Sequence, residues 1–127
     1  MRALNIKRKY DGQNRLVYEL KDDNEETIIR YDQNGNKVYE KEWKLSDGAI
    51  WCERTMEYDE NNNLVHFKDP ENLNEYWVEY DKFNRPIKQT WCTGEERTFE
   101  YDEMNNVIRT CNEKGEVECE IVNEYLE

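Results

Sequence analysis

The sequence predicts an all-β protein, an up-and-down antiparallel meander of about eleven strands in a curled sheet, open or barrel-like. Three observations lead there. A Tyr-Asp-x-x-Asn/Gly unit is written five times, beginning at Tyr10, Tyr31, Tyr58, Tyr80 and Tyr101. A second series of turn-forming clusters falls between these units, at 21–25, 46–48, 69–74 and 93–95, and a last one at 112–116 resembles a worn unit with Cys111 in the Tyr place. The pieces between turns are short, alternate apolar and polar, and show no helical period.

Each unit reads as a hairpin turn. Asn14, Gly35, Asn62, Asn84 and Asn105 stand four places after the tyrosine, and Asn and Gly share cheap access to positive φ. That suits the left-handed position closing a loop built on a type I turn. The Asp before it can accept from backbone N–H groups two residues on. The unit's Val or Ile comes three further on, at Val17, Val38, Val65, Ile87 and Ile108. A four-residue loop sets Tyr58 opposite Asn63 and groups Met56 and Tyr58 with Val65 and Phe67 on one face. A three-residue loop would set the Val/Ile position opposite Glu57, Glu79 and Glu100, so the four-residue loop is preferred.

In chain order, strands are expected at roughly 3–10, 15–20, 26–31, 37–45, 49–58, 64–68, 75–80, 86–92, 96–101, 107–111 and 117–123. Pro86 follows a turn and Pro70 lies within one, where a missing N–H is tolerated. The segment 53–60 returns as 96–103, which makes a pair of hairpins the duplicated element. Sheet twist lets a long meander curl, so the tyrosine face is expected to turn inward. Phe is then expected to be tolerated at Tyr58, since the ring supplies most of the burial. Trp51 alternates onto the face opposite Met56 and Tyr58, which places at least one Trp outside.

At 127 residues the chain is read as one domain, 1–127. Hydrophobic residues make up only 36% and aromatics 13%, so burial must rely on large Tyr and Trp rings. The net charge of −12 argues against nucleic acid as a partner and suits a cationic one. No apolar run approaches a membrane span and the first residues lack a signal-peptide core, which points to a cytoplasmic protein with no membrane partner. Cys52, Cys92, Cys111 and Cys119 have no C-x-x-C spacing and read as free thiols; His66 is the lone histidine. The oxygen-rich loops 32–36 and 59–63 lack the spacing and closing Glu of an EF-hand. No metal site, cofactor or catalytic constellation is therefore assigned.

The Tyr-Asp-x-x-Asn/Gly unit, recurring from Tyr10 to about Val117 with a second turn between copies, resembles the YD (RHS) repeat. In that family, arrays of such hairpins spiral into a β-shell that encapsulates bacterial polymorphic toxins. Five units are too few to enclose a toxin. The family's Asp-Pro-x-Gly cleavage motif is also not reproduced, because 69–72 reads Asp-Pro-Glu-Asn. The unit is similar, too, to the Tyr-x-x-Gly hairpins of MORN-like repeat antitoxins. The resemblance implies an acidic immunity or antitoxin-like protein that neutralises a basic protein, such as a toxin domain. The expected partner-binding residues are Glu57, Glu79, Glu96, Glu100, Asp102, Glu103 and Trp51, with the acids forming a stripe on the outer face. Three alternatives stand beside this reading: a carbohydrate- or small-ligand-binding β module using exposed Trp and Tyr, a metal-binding protein, and an enzyme.

Overall fold

The computed structural model describes residues 3–127. Its eleven strands are β1 (Ile6–Tyr10), β2 (Leu16–Lys21), β3 (Glu25–Tyr31), β4 (Lys37–Lys44), β5 (Ile50–Tyr58), β6 (Leu64–Asp69), β7 (Asn74–Tyr80), β8 (Pro86–Trp91), β9 (Glu96–Tyr101), β10 (Val107–Asn112) and β11 (Val117–Glu120). The sheet order is the sequence order, with two ends, so the meander is not closed into a barrel. Apart from one 3-10 turn at Pro70–Asn72 there is no helix among the described residues, and none long and apolar enough to cross a membrane. The chain divides into two compact units, the first reaching Asn74 and the second Glu75–Glu127.

The turns follow the expected chemistry, but the loop is one residue shorter. Asn14, Asn62, Asn84 and Asn105 have φ between 63° and 66°, and Gly35 has φ 86°. In the hairpin joining β5 and β6, Asn62 N donates to Asp59 O at 3.1 Å and Asp59 N to Asn63 O at 2.9 Å. This is a three-residue loop on a type I turn closed by a left-handed residue. The four-residue expectation failed because a bulge follows the loop. Tyr58 pairs with Leu64, Glu57 pairs with His66, and Val65 is left unpaired between them. The same jump skips Val17, Val38, Ile87 and Ile108. The repeat's Val/Ile position is the bulge residue. By absorbing one residue, the bulge puts Met56 directly opposite Phe67, which keeps those two on one face as expected.

Two side-chain devices fix the unit. Asp59 Oδ1 accepts from the backbone of Asn61 and Asn63, both at 2.9 Å, and the pattern recurs at Asp11, Asp32, Asp81 and Asp102. The tyrosine hydroxyl reaches across to the preceding repeat: Tyr31 donates to Leu16 O at 2.9 Å, Tyr58 to Lys37 O at 2.8 Å, and Tyr101 to Pro86 O at 2.5 Å. Each acceptor stands six residues after the previous unit's Tyr. Phe at Tyr58 is therefore not neutral. It keeps the ring but leaves the Lys37 carbonyl without this donor, a loss of about 1 kcal/mol.

Replacing Asn62 or Asn105 by Gly is expected to be neutral or mildly stabilising. Val at either position should cost about 1–2 kcal/mol, because a β-branched residue resists positive φ; thermal unfolding of the pair measures the difference. The turn aspartates also set an acid response. Backbone donation, from Arg15 to Asp11, from Asn36 to Asp32 and from Asn63 to Asp59, holds these carboxyls below their ordinary range. A carboxyl whose folded pKa is depressed contributes stability above its unfolded pKa, and that contribution is lost as pH falls through the folded value. Stability should thus decline as pH drops below about 4. In a urea series against pH, Asp59→Asn should lose part of that decline.

Burial is shallow. In the first unit, Tyr31 and Tyr58 are half-buried on the face that also carries the most enclosed residues, Ile29 (8% exposed), Cys52 (2%), Glu40 (8%) and Asp69 (3%). Register puts Glu40 opposite Arg54 and Glu42 opposite Cys52. Arg54 joins the two buried acids, with NH1 3.0 Å from Glu40 Oε1 and Nε 3.2 Å from Asp69 Oδ2. Lys37 Nζ takes the other Glu40 oxygen at 2.7 Å. In the second unit, Tyr80 and Tyr101 are half-buried, and Arg85 stacks on Tyr101 at 4.8 Å while its Nε meets Asp81 at 2.8 Å. After β11 the chain turns back on the last Tyr-Asp turn. Asn123 Nδ2 and the Tyr125 hydroxyl both donate to Asp102 Oδ2. All four cysteines are free, as expected.

Candidate functional site

Trp51 is the expected site residue around which the first unit builds a pocket. Between Glu42–Cys52 and Trp43–Ile50 the register jumps, and Trp51 is the residue left out. A bulge breaks strand alternation and re-aims the side chain. Trp51 therefore does not simply occupy the face opposite Tyr58. Trp51, 47% exposed, lines a pocket of ≈140 Å³ together with Glu19 and Glu42, which register places in the row Glu19–Thr27–Glu42–Cys52. Glu25, Lys21 and Thr27 also line it, and Glu26 and Trp43, a cross-strand pair whose positions alternate to the opposite face, border it. The volume is close to that of the ~150 Å³ cavity known to hold a benzene ring, so a single planar or branched cationic group fits.

On the face of the Glu19–Thr27–Glu42–Cys52 row, the pocket combines the carboxylates of Glu19, Glu25 and Glu42 with the Trp51 indole, which is the chemistry for a cation. Tyr18 donates to Glu26 Oε2 at 2.6 Å, and this hydrogen bond, followed by burial, raises the Tyr18 pKa. Arg8 Nε is 2.8 Å from Glu19 Oε2. The Trp51 indole already carries an ammonium of this chain, Lys44 at 5.3 Å, and on the opposite face Lys41 lies 4.7 Å from the Trp43 ring. Sequence reasoning missed Glu19, Glu25, Glu26, Glu42 and Trp43. They lie on three different strands, and only the cross-strand register brings them to the Trp51 pocket. The one signal in the sequence was the Glu25-Glu26 pair entering β3.

The other expected residues sit as follows. Glu57 is exposed, with Oε1 3.5 Å from His66 Nδ1. In the second unit, Glu79 is exposed and pairs with Lys88 in the register. Glu96 is half-buried, 3.6 Å from Lys88 Nζ, and Glu100 is exposed, 3.3 Å from Arg109. Asp102 is half-buried and, with exposed Glu103, borders an open groove that also holds Arg85, Phe83 and Tyr101. The hydroxyl of Tyr125, then backbone donation from Asn106, lower the Asp102 pKa. Glu96 and Glu100 do share one side of β9, but each meets a cation. Acidity is nonetheless uneven: Glu75–Glu127 carries 14 Asp/Glu to 6 Lys/Arg, against 16 to 12 in the rest of the chain.

No protein-family model and no curated protein matches this chain. The fold has solved counterparts. A TcdB2–TccC3–TEV crystal structure aligns over 84% of this chain with TM-score 0.73 and 16% identity. The Tc holotoxin pore of Photorhabdus luminescens aligns over 87%, again with TM-score 0.73 and 16% identity. A crystal structure of TcdB2–TccC3 without its hypervariable C-terminal region gives the same TM-score and identity over 84%. This chain covers only 7% of each of those chains. At that identity the likeness is one of fold: an antiparallel β-meander found within large toxin-complex chains.

Proposed function

We propose that this protein is a binding module for a basic protein partner, an immunity- or antitoxin-like neutraliser of a toxin domain, and not an enzyme. The observation that carries the reading is the Trp51 pocket, which Glu19, Glu25 and Glu42 line beside the Trp51 indole. Such a site suits a lysine or arginine side chain presented by a cationic surface. The net charge of −12 would speed the encounter. The YD-like repeats and the toxin-complex setting of the fold's solved counterparts support the choice of partner class. The carboxylates of Glu19, Glu25 and Glu42 lining the pocket disfavour the neutral carbohydrate alternative.

An arginine-rich peptide provides the direct test. It should quench tryptophan fluorescence at low salt; Trp51→Phe should remove most of that signal, and Glu25→Gln should weaken binding several-fold. With the partner purified from the source cells, association should slow markedly as salt rises while dissociation changes little. Equal association rates in low and high salt would end the proposal.

A further inference from the structure

We infer that the first unit holds a divalent-cation site of the zinc class, formed by Cys52, Glu42 and Glu40 with Asp69 beside them. The candidate ligand atoms of Cys52, Glu42 and Glu40 all lie within 4.8 Å of one another. Cys52 Sγ is 3.7 Å from Glu42 Oε2. A tetrahedral ion with zinc–sulfur and zinc–oxygen bonds of about 2.3 and 2.1 Å separates those two ligands by about 3.6 Å. The side chains therefore already stand at near-coordinating distance, before any rearrangement.

A second observation lies beside the three ligands. Asp69 is only 3% exposed, and its Oδ1 has no hydrogen-bond partner, although Oδ2 is held by Arg54 at 3.2 Å and Asn72 at 2.7 Å. Register sets it on the face of the cluster. Thr55 pairs with Lys68, which sets Asp69 opposite Arg54, on the face shared with Cys52, Glu40 and Glu42. Its charge reaches the Cys52 thiol. Burial first, and then the charges of Glu42, Glu40 and Asp69, push that thiol's pKa up, with Arg54 opposing. A buried acceptor left unpaired is costly, and a cation nearby would compensate it.

Charge balance supports a divalent ion. Glu40, Glu42 and Asp69 face Arg54 and Lys37, which leaves the cluster at −1 with Cys52 protonated. Binding M²⁺ expels the thiol proton to solvent, and the site reaches neutrality with Cys52 as thiolate. Sulfur with carboxylate oxygens suits a borderline ion, whereas magnesium or calcium would want oxygen alone. Glu42 also lines the Trp51 pocket, which gives the ion a route from solvent.

Cobalt(II) titration of the protein with Cys92, Cys111 and Cys119 changed to Ser tests the site. The expected result is one equivalent bound, a thiolate-to-cobalt charge-transfer band in the near ultraviolet, a raised Tm, and displacement by zinc. Cys52→Ala should abolish the band. Should that variant fail to fold, Glu42→Gln, on a half-buried side chain, should weaken cobalt binding at least tenfold while preserving the β spectrum. The inference is overturned if no charge-transfer band appears, if the band survives in Cys52→Ala, or if Glu42→Gln binds cobalt as tightly as the parent.

Discussion

Arg54→Met is expected to lower stability by about 3 kcal/mol, the low end of the range for removing one partner of a buried ion pair. The reason lies in what Arg54 leaves behind. Glu40 and Asp69 are 8% and 3% exposed, and its guanidinium bonds both. Lys37 still meets Glu40 and Asn72 still meets Asp69, so the two acids are not wholly abandoned. The arginine's own side chain is 39% exposed, and solvent screens part of the loss. In a protein of this size the change should appear as a fall in Tm of roughly 10 °C. A double substitution, Arg54→Met with Asp69→Asn, should recover part of it, because the uncompensated buried charge is gone. A single variant as stable as the parent would show that the cluster contributes nothing net.

Tyr58→Asp should go further and unfold the first unit. The half-buried ring supplies burial worth about 3–5 kcal/mol when lost from a core, and the hydroxyl bond to Lys37 O goes with it. The new carboxylate would also lie on the same face as Glu40 and Asp69. Tyr58→Phe separates the effects, since it should cost only about 1 kcal/mol. Circular dichroism and urea unfolding of the two variants give the comparison; a cooperative, soluble Tyr58→Asp would remove the tyrosine face from the core.

Much of the fold was legible because it is local. Turn residues four places after each Tyr, and alternation between turns, located all eleven strands to within a few residues; β1 begins three residues later than expected and β11 ends three earlier. The loop length was misjudged for a definable reason. Face alternation reports only parity, and a three-residue loop followed by a one-residue bulge has the same parity beyond the bulge as a four-residue loop. Hydrogen bonds alone separate the two.

The site was less legible than the fold. Trp51 was singled out for its place in the alternation, yet the bulge that re-aims it depends on how β4 and β5 end. The acids chosen from the second unit were read as a stripe because alternation puts Glu96 and Glu100 on one side. Lys88 and Arg109 meet them there because the neighbouring strands supply cations at matching register positions.

What the sequence determined by itself is the repeat: Asp capping the turn, Asn or Gly at positive φ, and short strands between, each set by interactions within about six residues of chain. What the tertiary structure decided is everything that depends on register between strands distant in sequence. The tyrosine hydroxyl finds a carbonyl 15 residues back in Tyr31 and Tyr101, and 21 back in Tyr58. Glu19, Glu25 and Glu42 come to line one pocket with Trp51, and Cys52 is enclosed on the face that carries Glu40, Glu42 and Asp69. Local rules leave each strand free to slide against its neighbour, and the bulges, which only the paired structure reveals, fix where each strand stops.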